Sequence, residues 1–132
     1  MKEKRPRRAA GLWKGKSQMK KQEVNAIIEE TAVLYGFKAE PATGGIMQPV
    51  YEPENYIGFT VLPRMNFDES EVKDGKVVSA VTEIEVKASI RGMGGDPTPD
   101  DLLKAADAIK RGAELAKELQ DMKLRYTEHY DR

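Results

Sequence analysis

The sequence predicts an α+β fold: helix 1, an antiparallel meander of three to four strands and a long C-terminal helix, both helices packed on one face of the sheet. Three observations predict it. Apolar residues recur at helical spacing between Met19 and Tyr35, and again between Leu102 and Tyr126. Between them, "KVVSAVTEIEVKASIRGM" alternates apolar and polar residues, as a strand with one wet face must. Two amphipathic helices and a one-sided sheet bury their apolar faces most economically against each other.

Residues 1–17 show no period and are broken by Pro6, Gly11 and Gly15, so they read as a disordered basic tail. Residues 18–132 form the single domain. Ser17 is a plausible N-cap for a helix over 18–35, whose apolar positions are Met19, Val24, Ile27, Ile28, Thr31, Leu34 and Tyr35. Gly36 suits the left-handed position that ends a helix, and Phe37 can then fold back on the last turn. Short strands follow at about 37–40 and 46–51, with Gly44-Gly45 as a turn and Pro49 arguing for an edge. Ile57, Phe59 and Val61 alternate with Gly58, Thr60 and Leu62, which predicts a strand over 57–66. The strand over 76–91 carries Val78, Ala80, Thr82, Ile84 and Val86 on one face, and Asp74-Gly75 before it signals a hairpin. "DESEVKDG" reads as an acidic loop between the two.

The last helix is predicted over 99–126. Thr98 is its N-cap, Pro99 suits the first position, and Asp100 and Asp101 favour the positive end of the helix dipole. Leu102, Ala105, Ala106, Ile109, Ala113, Ala116, Leu119, Met122 and Tyr126 make its apolar stripe. The stripe is mostly alanine around Gly112, so a neighbour must approach this helix closely. "TEHYDR" reads as a fraying end.

The totals exclude several chemistries. With no cysteine among 132 residues, disulfides, thiolate zinc sites and a Cys nucleophile are ruled out. No apolar run follows the basic start and none approaches the roughly 20 residues of a membrane span, so the chain reads as cytoplasmic and free of membrane. The net charge is zero, but residues 1–22 hold nine Lys or Arg and one Glu, a charge of +8. Residues 23–132 therefore carry −8, with 13 basic and 21 acidic side chains.

Candidate chemistry fails in detail. "IRGMGGDP" sits between strand and helix, where phosphate loops lie, but Pro97 stands where a dinucleotide fingerprint needs Gly and no Gly-Lys-Ser/Thr follows. Asp96, Asp100 and Asp101 would repel an anion there. His129 is the only histidine and has no Cys or second His to share a metal. The carboxylates of Asp68–Asp74, Glu83/Glu85 and Asp96–Asp101 read as loop, solvated strand face and helix cap; a calcium loop would need Gly and Glu where Lys73 and Ser79 stand. A carboxylate enzyme remains a minor reading, requiring Glu83, Glu85 or Asp96 beside an Arg in a cleft. No catalytic residue, cofactor or metal ligand is assigned.

Two surfaces remain. Leu62, Val77, Val81 and Met93 are expected to point away from the helices, as a dimer or partner surface. Lys4, Arg5, Arg7, Arg8, Trp13, Lys14 and Lys16 could hold nucleic acid, with further lysines up to residue 21; lysines and arginines would neutralise phosphates and Trp13 would stack on a base. The acidic body opposes duplex docking, and no nucleic-acid module is present. Residues 1–18 also read as a translated leader, because "MKKQEVNAIIEETAVLYGF" is a complete helix from Met19 and the codons of Lys14-Gly15 can spell a ribosome-binding site. The leading expectation is a small non-enzymatic protein that binds a protein partner or itself, of the kind that phages and mobile elements encode. The alternative is a nucleic-acid-associated protein that uses the basic arm.

Overall fold

The computed structural model describes residues 19–50 and 56–130. Its elements are α1 (Lys21–Leu34), β1 (Lys38–Pro41), a short 3-10 turn (Thr43–Gly45), β2 (Met47–Val50), β3 (Ile57–Lys73), β4 (Lys76–Ile90), α2 (Pro99–Met122) and β5 (Arg125–His129). The class and the order helix, strands, long helix are those predicted, with both helices on one sheet face. The predicted tail, residues 1–17, lies outside the described residues.

Helix α1 starts later than predicted, with Lys20 as its extended N-cap residue. The Glu23 carboxylate accepts the Lys20 amide at 2.7 Å and satisfies one N-terminal donor. Val24, Ile27, Ile28, Thr31 and Ala32 are its buried face. Thr31 donates its hydroxyl to the Ile27 carbonyl at 2.7 Å, so its burial strands no polar group. Gly36 takes φ +83° and the Phe37 amide reaches back to the Ala32 carbonyl at 2.9 Å, the C-terminal closure expected of this sequence.

β1 and β2 pair antiparallel as a sheet of their own, and β3, β4 and β5 form a second antiparallel sheet in that order. The first is tied to α1 through Asn25, which donates to the Gly45 carbonyl and accepts the Met47 amide. β3 and β4 turn through Asp74 and Gly75, both at positive φ, as a two-residue hairpin needs. Ile57, Phe59 and Val61 on β3 and Ala80, Thr82 and Val86 on β4 face the helices. The pairs Val61–Val86 and Met65–Thr82 set that inner face, and Leu62–Glu85, Arg64–Glu83 and Asn66–Val81 set the outer one.

In α2 the Thr98 hydroxyl accepts the Asp101 amide at 3.1 Å, and the Asp101 carboxylate accepts the Thr98 amide at 3.0 Å. Hydrogen bonds to the Asp101 carboxylate from the Thr98 amide first, and then from the Thr98 hydroxyl, hold it below the usual aspartate range. The buried stripe is Ala105, Ala108, Gly112, Leu115, Ala116 and Leu119. Ala106 and Ala113, expected inside, are exposed. At Gly112 the helix backbone meets the Ile57 side chain, the close approach that the alanine stripe predicts.

The C-terminus departs most from expectation. Helix α2 ends at Met122 instead of 126, because Lys123 turns left-handed at φ 52°. Leu124 is buried, and Arg125–His129 pairs antiparallel with β4 rather than fraying. Tyr126 lies opposite Thr82 in the core, and Thr127 donates its amide to the Met19 carbonyl at 2.9 Å. The main cluster joins α1, Phe37, Ile46, β3, Val86, Leu115, Leu119, Leu124 and Tyr126. Phe37 and Phe59 meet edge to face at 5.4 Å, and the Arg111 guanidinium lies over the Phe37 ring.

Candidate functional site

From Met65 outward the β3–β4 hairpin is flanked by β5 as far as Ser79, and beyond that it continues as a two-stranded ribbon. The acidic stretch expected as a loop is mostly strand, since β3 continues to Lys73. Its ladder slips between Asn66 and Glu71, where β3 takes five steps while β4 goes only from Val81 to Ser79. The surplus residues form a bulge over 67–70.

Side chains hold this bulge. Asn66 Oδ1 accepts the Glu69 amide at 3.2 Å, and Asn66 Nδ2 donates to Glu83 at 2.9 Å and to Glu69 at 3.3 Å. Ser70 donates its hydroxyl to the Asn66 carbonyl at 2.7 Å and accepts the Val81 amide at 3.0 Å, replacing the lost ladder bond. Arg125 from β5 donates to Glu69 at 2.6 Å and lies 3.6 Å from Glu83. Three strands thus fix one short segment.

The bulge presents Phe67. It is 75% exposed, the most exposed large apolar side chain among the described residues, with Met65 and Val72 exposed nearby. A groove of about 680 Å³ runs beside it, lined by Arg64, Met65, Asn66, Phe67, Asp68, Glu83, Ile84 and Glu85. Arg64 donates to Glu85 at 3.0 Å, and Lys87 lies 3.4 Å from the other carboxylate oxygen. Arg64 first, then Lys87, holds the Glu85 carboxyl below its usual 4.5.

A depressed carboxyl adds stability that is present above the unfolded value and is lost as pH falls through the folded one. Carbon-detected NMR titration should therefore place the Glu85 midpoint below 4.5, and Arg64→Gln should move it upward. An unchanged midpoint in the variant would show that Arg64 does not hold Glu85 in solution.

The residues singled out from sequence are not brought together. Leu62 sits opposite Glu85 and Val81 opposite Asn66, with the Arg64–Glu83 row between them. Val77 lies further out, opposite Val72. Met93, expected to point away from the helices, instead packs against Tyr56, Ala105 and Ala108 beneath α2, which corrects its assignment to an outer surface. Lys4, Arg5, Arg7, Arg8, Trp13, Lys14 and Lys16 lie outside the described residues.

No protein-family model matches this chain, and no curated protein or solved structure is significantly similar to it. The chemistry must be read from its own residues. Among the described residues no group of three or more His, Asp or Glu is placed to hold a metal ion. His129 is exposed on β5 opposite Ser79. Glu83 and Glu85 do stand beside arginines, but as exposed ion pairs on a strand face. No described helix is long and apolar enough to cross a membrane. Phe67 escaped the sequence reading because it lies amid acids; a large aromatic in an otherwise polar stretch was its one available signal.

Proposed function

We propose that this is a small, non-enzymatic cytoplasmic protein that docks on a protein partner through the Phe67 ribbon. The observation that carries the reading is an exposed aromatic held on a bulge by Asn66, Ser70 and Arg125. Exposing Phe67 gives up about 1.5–3 kcal/mol of burial that the fold could otherwise gain. Spending a six-bond network to present it makes sense where the side chain is an anchor, since a preorganised anchor loses little entropy on binding. The ribbon also suits protein better than nucleic acid: Asp68, Glu69, Glu71 and Asp74 outnumber Lys73 and Lys76 along its tip.

Photocrosslinking tests this. With benzoylphenylalanine in place of Phe67, illuminated native cells should yield a discrete adduct. The same probe in place of Leu103, equally exposed on the opposite helix layer, should not. Indistinguishable patterns at the two positions would remove the ribbon as a docking surface.

A further inference from the structure

The chain enters the described fold on the same cross-strand row as the bulge. Met19 is the first residue the structure describes, and its carbonyl accepts the Thr127 amide of β5. Thr127 sits opposite Val81, and Val81 sits opposite Asn66. Three strand-to-strand steps of about 4.8 Å separate Met19 from Asn66, roughly 15 Å in all. We infer that residues 1–18 of the same chain lie across this row and cover Phe67 with Leu12 and Trp13. The inference rests on the docking reading above and names a resident occupant of that same site.

Reach selects this segment. Trp13 precedes Met19 by six residues, and six extended residues span about 20 Å. The bulge next to Asn66 is within that distance. The other stretch outside the described residues, 51–55, is too far away. It precedes Ile57, and ten residues of β3, roughly 30 Å, lie between Ile57 and Phe67. Five residues span only about 18 Å. Glu52 and Glu54 there also carry the wrong sign.

Charge and shape agree with reach. The ion pairs around the bulge occupy Glu69, Glu83 and Glu85. Asp68, Glu71 and Asp74 hold no cation among the described residues. Residues 1–16 carry seven Lys or Arg and one Glu, a charge of +6. Leu12-Trp13 is the segment's one pair of adjacent large apolar side chains, and Arg7, Arg8, Lys14 and Lys16 bracket it. An aromatic set among carboxylates thus meets an aromatic set among cations. The groove of about 680 Å³ beside Phe67 has room for an indole ring.

The tether sets the strength. A link this short gives an effective concentration in the millimolar range. A contact too weak to join separate molecules then keeps the segment in place. A protein partner reaches Phe67 only by displacing it, so residues 1–18 guard the docking surface.

Fluorescence of the purified full chain tests this, because Trp13 is its only tryptophan. Emission should lie at the short wavelengths of a shielded indole at every protein concentration. Phe67→Ser should shift it to longer wavelength and open it to acrylamide quenching. The far-UV circular dichroism should stay unchanged, because Phe67 takes no part in the core. Asp68→Lys combined with Glu71→Lys should have the same effect on Trp13, and Leu103→Ser should have none. A Trp13 signal indifferent to Phe67→Ser overturns the inference; an adduct from position 67 to another protein in native cells then leaves the docking surface in place. Shielding that grows with protein concentration puts the segment on a second copy and overturns the contact within one chain. A Trp13 response to Phe67→Ser without an adduct to any other protein keeps the segment on the ribbon and removes the outside partner.

Discussion

Replacing Gly112 by leucine is expected to destabilise the fold by about 3 kcal/mol. A β-carbon at 112 would overlap Ile57 Cδ1 and come within 3.2 Å of its Cγ2. Ile57 is itself buried beside β4, so it cannot simply swing away. Leucine adds three further carbons, and the helix must lift from the sheet to admit them. Alanine is the milder case: its higher helix propensity, about 1 kcal/mol over glycine, offsets much of the crowding. Gly92 and Gly94 supply controls, since a β-carbon there meets nothing within 4 Å, and alanine at either should change stability by no more than about 0.5 kcal/mol. Urea unfolding reads all four variants, with the midpoint moving and the slope constant. A leucine variant within about 1 kcal/mol of wild type would mean that α2 is not seated on β3 at this point.

Tyr126→Ala is expected to cost about 3–4 kcal/mol, a large share of the 5–15 kcal/mol that holds a domain of this size together. The side chain is 5% exposed and lies opposite Thr82, with which it hydrogen-bonds. Burial pushes its phenol above the usual tyrosine value. Truncation leaves a cavity and takes the partner from the buried Thr82 hydroxyl. Tyr130 is 47% exposed, and its truncation should stay within about 0.5 kcal/mol. Thermal or urea unfolding separates the two outcomes. Equal small effects at 126 and 130 would show a frayed terminus and no fifth strand.

That contrast marks where the sequence was legible and where it was not. Helix α1 and its stop at Gly36 could be read because Val24, Ile27, Ile28 and Thr31 leave one possible inner face and glycine marks the left-handed turn. The start of α2 could be read because Thr98, Pro99 and Asp101 each solve a known problem of an open helix end. Its finish could not. Tyr126 stands four residues after Met122, which continues a helical stripe, and two after Leu124, which begins a strand; the left-handed turn between them falls on a lysine. The alanines of α2 give little contrast between faces, so the expected stripe holds at Ala105, Ala116 and Leu119 but takes in the exposed Leu102, Ala106 and Ala113 and omits the buried Ala108, Gly112 and Leu115. The outer ribbon was hidden for a different reason. Past Met65 no helix covers β3, so burial imposes no alternation on residues 66–73 and the pattern lapses although the strand continues. Of the site, Arg64 and the carboxylates were visible as charges; the bulge that aims Phe67 arises from Asn66, Ser70 and Arg125 meeting across three strands, which spacing along one strand does not encode.

The bond from Thr127 to Met19 carries a consequence for synthesis. The carbonyl that leads into α1 is secured by β5, which is made after both described helices. On the ribosome, β4 emerges well before β5, and at 5–20 residues per second the interval is on the order of seconds. During that time Ser79–Glu83 is an uncovered template, and the recess that Tyr126 will fill stands open beside it. The fifth strand is thus a timer as well as a seal. A nascent chain that stalls short of it holds both described helices and leaves that edge of β4 open to pair with a neighbour.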